Sequence, residues 1–308
     1  MKKFLFHSTL FFLLVLGAVS LINFLYVRNY KVETIKNVPD DIEICNFGNS
    51  QPYNGIDYSV IDQYTCFNFA LPAQSFSYDL RILENYKGKL KPGAKVLICC
   101  SYHSFFGKPE TDSSDFASKN RRYYYFLPSK LIKEYDFTTD VILNYFPALT
   151  AKELLIPTIL GVYNTGISEK ISSTTREEAA STAESRYENL FGSARKKDNS
   201  ILFDEEDMDC LMQMIDLTKE LGCEPILFTT PYLQEYVEEI KERDPELLDV
   251  FYETIDEICQ MKDVKYLDWS EDSRFCESYE LFVNLDHLNE NGAKKFTSIL
   301  INSVLSIR

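Results

Sequence analysis

The stretch Ile42-Glu43-Ile44-Cys45-Asn46-Phe47-Gly48-Asn49-Ser50-Gln51 decides the reading of the fold. Its first six residues are of strand length and mostly apolar, a polar stalk (Asn29–Asp40) precedes them, and glycine with two small polar residues ends them in a tight turn. Four comparable runs follow at Cys66–Leu71, Lys95–Cys100, Pro225–Thr229 and Val264–Leu267. Amphipathic segments of helix length separate them. The segment from Asp204 to Leu221 has a capping Asp204, a stripe of Met208, Leu211, Met212 and Ile215, and Gly222 as its stop. A second helix is expected over Gln234–Met261 and a last one over Asn291–Ile307, with Phe296, Ile299, Leu300 and Val304 on one face. Buried strands alternating with helices predict an α/β fold, a parallel sheet covered on both sides.

The rhythm breaks between the third and fourth strands. About a hundred residues there, 105–200, are too many for an ordinary crossover. They hold the cluster Arg121-Arg122-Tyr123-Tyr124-Tyr125-Phe126, an apolar piece around Val141–Leu160 and a Ser/Thr/Glu-rich stretch from Ser168 to Arg186 that reads as solvated. Two readings stand: an inserted lid or substrate platform, with Arg121, Arg122 and Tyr123 docking a glycan or anionic polymer, or a surface elaboration whose aromatic residues simply pack.

Charge and hydropathy divide the chain in a different way. Phe4–Tyr26 is 23 residues without a formal charge, long enough to cross a bilayer as a helix, and Lys2 and Lys3 before it favour a cytoplasmic N-terminus. Residues 1–31 therefore read as a cytoplasmic tip and signal anchor, 32–40 as a stalk and 41–308 as an extracytoplasmic domain. A cleaved signal peptide is the rival reading, since Ala18-Val19-Ser20 offers small residues, although Leu21, Ile22, Phe24 and Leu25 continue the apolar run. The whole chain carries a net charge of -15; the head has four basic residues and no acid, which leaves 28 basic and 47 acidic residues, a net of -19, on the rest. Nucleic acid is a poor partner for such a surface, and a neutral or cationic target suits it better. Of the eight cysteines, Cys45, Cys66, Cys99 and Cys100 fall in strands as small buried hydrophobes, while Cys210, Cys223, Cys259 and Cys276 are better placed to pair. The absence of CxxC and the shortage of histidine argue against a zinc cluster, and no metal or cofactor is expected.

Three histidines make the search for a general base short. His7 lies in the apolar head, leaving His103 and His287. His287 sits in Asn284-Leu285-Asp286-His287-Leu288-Asn289, just before the final helix. Open α/β sheets place ligands at the carboxyl ends of their strands, and there Ser50 follows the first strand directly, where it could present its hydroxyl and its own N–H.

Taken together, these blocks resemble the SGNH (GDSL-like) hydrolase superfamily along nearly the whole body. Ile44-Cys45-Asn46-Phe47-Gly48-Asn49-Ser50 looks like its nucleophile block, with Asn49 where many members have Asp. Phe67-Asn68-Phe69-Ala70-Leu71-Pro72-Ala73-Gln74-Ser75 is similar to the block that supplies an oxyanion donor. Asn284–Asn289 with Gly292-Ala293 resembles the terminal block of membrane-anchored members that serve cell-surface polysaccharide modification and D-alanyl transfer.

The resemblance implies a three-layer, flavodoxin-like sheet, Ser50 as nucleophile, His287 as its base, and an oxyanion hole from Ser50 and Ala73. Ala73 stands where glycine is common. Strand three runs into Ser101-Tyr102-His103-Ser104 in place of the usual glycine and Asn donor, so His103 or Tyr102 is expected to donate. The family's acid, three residues before the histidine, is Asn284 here; Asp286 is adjacent to His287, but neighbouring side chains point apart in extended chain, and Asp268 is a further candidate. The implied function is an extracytoplasmic serine esterase or O-acyltransferase acting on a cell-surface glycan or acylated polymer. A transferase would need a multi-span membrane partner to bring the acyl donor. The alternative is a catalytically degenerate binding or assembly subunit of the same fold.

Overall fold

The computed structural model describes residues 2–29, 35, 37–107, 111, 115–145 and 172–306. Residues 30–34 and 36 of the expected stalk, 146–160 of the apolar piece and 168–171 of the Ser/Thr/Glu-rich stretch lie outside the described residues. In chain order the elements begin with α1 (Lys2–Asn29), β1 (Ile42–Phe47), α2 (Ser50–Gly55), β2 (Cys66–Asn68), α3 (Phe76–Tyr86) and β3 (Leu90–Cys99). There follow α4 (Phe116–Asn120), α5 (Phe137–Tyr145), α6 (Arg176–Phe191) and α7 (Glu205–Glu220). The chain closes with β4 (Glu224–Thr229), α8 (Gln234–Arg243), α9 (Pro245–Lys262), β5 (Lys265–Asp268) and α10 (Glu290–Ser306).

The chain divides into two compact units. The larger, Pro39–Ser114 with Gly166–Arg308, holds a sheet of five strands, among the described residues, in the parallel order β2-β1-β3-β4-β5. That order reverses direction between β1 and β3, the switch point where such sheets open a crevice at their carboxyl ends. Val96, Leu97, Ile98 and Cys99 are all buried, as are Ile226, Leu227 and Phe228, so successive side chains pointing to opposite faces both meet a covering layer. Helix α7 packs on α3 and touches α9; α10 packs on α2, and α6 on α8.

Most local signals read from the sequence have a visible physical counterpart. Asp204 caps α7 by accepting the Asp207 N–H at 3.1 Å, and Gly222 takes the left-handed conformation just past its end, at φ +69°. The buried face of α7 runs through Cys210, Leu211, Met214, Ile215 and Thr218, rotated slightly from the expected stripe. The helix expected over Gln234–Met261 is two helices, because Pro245 lacks the N–H to continue α8 and instead starts α9 at its first turn. Strand β2 stops at Asn68, three residues early, where the Asn68 side chain accepts the Ala70 N–H at 3.0 Å and turns the chain out of the ladder. The pairing left open for Cys210, Cys223, Cys259 and Cys276 is not made: all eight cysteines are free.

The smaller unit is Met1–Val38 with Asp115–Thr165. The stretch expected as one insertion, 105–200, is therefore shared between the two units. In the smaller one, α1 contains a segment, Lys2–Leu21, that is long and apolar enough to cross a membrane, a property a signal sequence shares. Tyr123, expected to dock a polymer, is instead fully buried, and its hydroxyl accepts a bond from Arg122 Nη2 at 2.7 Å while the guanidinium lies 4.8 Å from the ring centre. Arg121 is exposed.

Gly48 links strand to site and has no substitute. Its φ is +130°, and a Cβ there would lie 2.8 Å from Cys99 Cβ and 2.9 Å from Pro52 Cγ. Gly48→Ala is expected to cost ~2–4 kcal/mol in stability, read as a lowered thermal midpoint. Gly88→Ala, where an added Cβ meets nothing within 4 Å, should leave the midpoint nearly unchanged; equal midpoints for the two variants would refute the steric account.

Candidate functional site

The carboxyl ends of β1, β3 and β4 are neighbours in the sheet, and each delivers polar side chains to one place. After β1, Asn49 caps α2: its Oδ1 accepts the Gln51 N–H at 3.0 Å. Ser50 is the first residue of that helix and is partly exposed. Gln51 is buried and acts as a hub. Its Oε1 accepts Ser101 Oγ at 2.6 Å from the loop after β3, and Tyr232 Oη at 2.8 Å from the loop after β4. Its Nε2 donates to Asp286 Oδ2 at 3.0 Å, on the loop before α10.

That loop does not run extended. Residues 283–286 bend, the Val283 N–H bonds back to the His287 carbonyl at 2.8 Å, and Asn284 Oδ1 accepts the N–H groups of Asp286 and His287 at 3.2 and 3.0 Å. The bend overturns the expectation that the side chains of Asp286 and His287 diverge. His287 Nδ1 stands 3.0 Å from Asp286 Oδ1 and 3.0 Å from Asn284 Oδ1, so a proton on Nδ1 has an anionic and a neutral acceptor together. Asp268 is bonded to Ser270 and Tyr252 at the end of β5 and makes no contact with His287 among the described residues.

Asp286 is a carboxylate with no exposed side-chain surface. Arg186 grips it in a fork, Nε to Oδ1 at 3.0 Å and Nη2 to Oδ2 at 2.6 Å. Burial by itself would raise the pKa of this carboxyl; the His287 imidazole and the Arg186 guanidinium more than cancel that, holding it well below the usual carboxylate range. In the sequence, Arg186 stands at the end of a stretch expected to be solvated. It belongs instead to α6, started by a capping box in which Thr175 Oγ1 accepts the Glu178 N–H and Glu178 Oε2 accepts the Thr175 N–H. Ala179 and Ala183 on its buried side keep the approach to α8 close, and Arg186 follows on the same side of the helix.

The two expected partners after β3 separate. Tyr102 is buried in an aromatic cluster with Tyr232 and Phe251, its hydroxyl bonded to Tyr252 Oη at 2.8 Å, so it is no donor to the site. His103 stays: its Nε2 is 3.4 Å from Asn49 Nδ2, and its neighbours in charge are Asp286, Arg186 and His287. Since Asn49 Nδ2 also donates to Ser101 Oγ at 2.8 Å, it faces His103 as a donor, which puts the imidazole proton on Nδ1. That Nδ1 is buried without a hydrogen-bond partner among the described residues. Ala73, in the second block, holds φ at +49°, the left-handed conformation that a glycine would adopt without strain. Among the described residues Ser50 Oγ makes no hydrogen bond to His287; the Gln51–Asp286 bond brings the two residues to the same edge of the sheet by joining the neighbours of each.

No family model matches the chain, and no curated protein matches it. Among solved structures, a Bacteroides fragilis protein described as a "putative acylhydrolase" is similar at 10% identity, with a TM-score of 0.38 over 89% of this chain and 95% of that one.

Burial pushes the His103 imidazole down from 6.5 to about 4. The unfolded chain takes up this proton first, so the contribution of His103 is intact above about 6.5 and is lost as pH falls toward about 4. The stability difference between wild type and His103→Gln, measured by denaturant unfolding, should shrink by ~1–3 kcal/mol between pH 7 and pH 4. A difference constant across that range would contradict the buried, neutral state of this ring.

Proposed function

We propose that the chain is a serine-dependent acyl esterase or O-acyltransferase whose nucleophile is Ser50 and whose general base is His287. The observation that carries the reading is the pairing of His287 Nδ1 with the buried, ionised Asp286 at the edge where α2 presents Ser50. With the proton fixed on Nδ1, the other imidazole nitrogen is the basic one. It takes the Ser50 proton as Oγ attacks an ester carbonyl, and returns that proton to the departing alkoxide; water or a sugar hydroxyl then takes the acyl group from Ser50. The developing oxyanion is received by the backbone N–H groups of Ser50 and Ala73, with the His103 Nδ1–H as side-chain donor. Hydrogen bonds between nucleophile and base are commonly long before substrate binds, so the lack of one between Ser50 and His287 among the described residues is compatible with this role.

Asp286, not Asn284, is the acid of this reading, because Asn284 Oδ1 is already occupied by two backbone N–H groups and carries no charge. Helix α1, read as a signal anchor, would hold the remainder on the outer face of the cell membrane, close to an acylated cell-surface glycan or envelope polymer. Acyl transfer would require a multi-span partner to supply the donor. A second reading, a non-catalytic binding subunit, is favoured by one observation alone, the lack of a Ser50–His287 hydrogen bond.

The two readings separate on a serine-directed fluorophosphonate and a chromogenic acetate ester. Labelling and turnover that vanish in Ser50→Ala identify the enzyme, whereas a wild type that neither labels nor turns over supports the binding subunit. Asp286→Asn should lower kcat/KM by about 10²–10⁴-fold, and Asn284→Ala by less. Equal losses in the two would remove Asp286 from the acid's role.

A further inference from the structure

We infer that Arg186, supplied by helix α6, is a positioning residue for the proposed base: its guanidinium fixes the Asp286 carboxylate against His287 and shares its charge. The inference rests on the reading of Ser50 and His287 given above and extends it to a residue that none of the sequence blocks contains.

The carboxylate of Asp286 receives four hydrogen bonds, and Arg186 provides two of them. His287 Nδ1 and Arg186 Nε meet Oδ1, while Gln51 Nε2 and Arg186 Nη2 meet Oδ2. The fork sets the plane of the carboxylate, and with it the direction from which Oδ1 faces the imidazole. It also decides where the pair keeps its protons. A buried carboxylate beside an imidazole, with no cation, holds an additional proton between them to higher pH, as carboxylic acid or as imidazolium, than it does with a cation bound. In both forms the base is compromised. A guanidinium at hydrogen-bond distance expels that proton, leaving Asp286 ionised and His287 free to accept the proton of Ser50.

The groups around the pair leave Arg186 as the cation that acts on it. Gln51, from α2, is neutral. Tyr232, after β4, and Tyr236, in α8, are neutral because burial pushes both hydroxyls well up. His103, after β3, is held neutral by burial. Asn284, on the same loop as His287, has no charge. Arg186 itself is one-quarter exposed, so its fork is reached from the rim of the site without being loosely solvated.

The test uses the full chain in detergent and compares wild type with Arg186→Met and Arg186→Lys. In Arg186→Met the acid limb of the kcat/KM profile should move to higher pH by one unit or more, with the activity recovered at alkaline pH. Arg186→Lys keeps the charge but not the fork; its limb should stay near that of wild type while kcat falls by about tenfold. A merely structural role would lower activity at every pH and leave the limb in place. An Arg186→Met limb coincident with wild type, or an Arg186→Lys limb displaced as far as that of Arg186→Met, overturns the inference. Histidine carbon-13 resonances, assigned with His287→Gln, keep the test independent of turnover: the His287 signal should titrate at higher pH in Arg186→Met than in wild type. Absence of Ser50-dependent turnover together with that shift would overturn the enzyme reading and leave the Arg186 coupling standing; turnover without it would do the reverse.

Discussion

A single carboxylate without access to solvent, that of Asp286, orders the polar side chains of this sheet edge. A buried charge is tolerated only where donors converge on it. Here the donors come from α2, α6 and the bend before α10. The constraint spreads outward through hydrogen-bond polarity. Because Gln51 must give its amide N–H to Asp286, its oxygen faces Ser101 and Tyr232, which therefore donate. Ser101, having donated, accepts from Asn49, and Asn49 turns an N–H toward His103. The tautomer of His103 is thus fixed through four hydrogen-bonded links, running from Asp286 by way of Gln51, Ser101 and Asn49, and reversing a member would leave a buried donor facing a donor.

The sheet was legible because its information is local. Ile42–Phe47 has the same ends in sequence and structure, and the stop at Gly222 needed only one residue type in one place. Where the structure departs from the sequence pattern, a local signal lies inside a longer run or a local rule meets a different conformation. Pro245 divides the amphipathic run Gln234–Met261 into two helices. Thr175-Arg176-Glu177-Glu178 is a capping-box sequence inside a stretch judged solvated. The divergence of neighbouring side chains holds in a strand, and residues 283–286 are a bend.

The candidate site was legible only in part, for a different physical reason. Ser50 and His287 could be chosen from composition and position, since so few imidazoles exist and strand ends collect ligands. Arg186 and Gln51 could not. One arginine among many becomes special only when a buried carboxylate 100 positions away needs it, and a glutamine at the second position of a helix looks like any polar surface residue. Partnership between distant residues is a property of the packed state, not of either segment.

The spacing of these partners along the chain has a consequence in time. Gln51 is synthesised 235 positions before Asp286 and Arg186 100 positions before it. A growing polypeptide therefore holds the amide and the guanidinium long before their anion exists, and neither can settle into its final place until the last stretch before α10 has emerged. The site is closed by a segment made long after Ser50, so a chain interrupted short of that loop retains strands, helix caps and Ser50 without the charge that organises them.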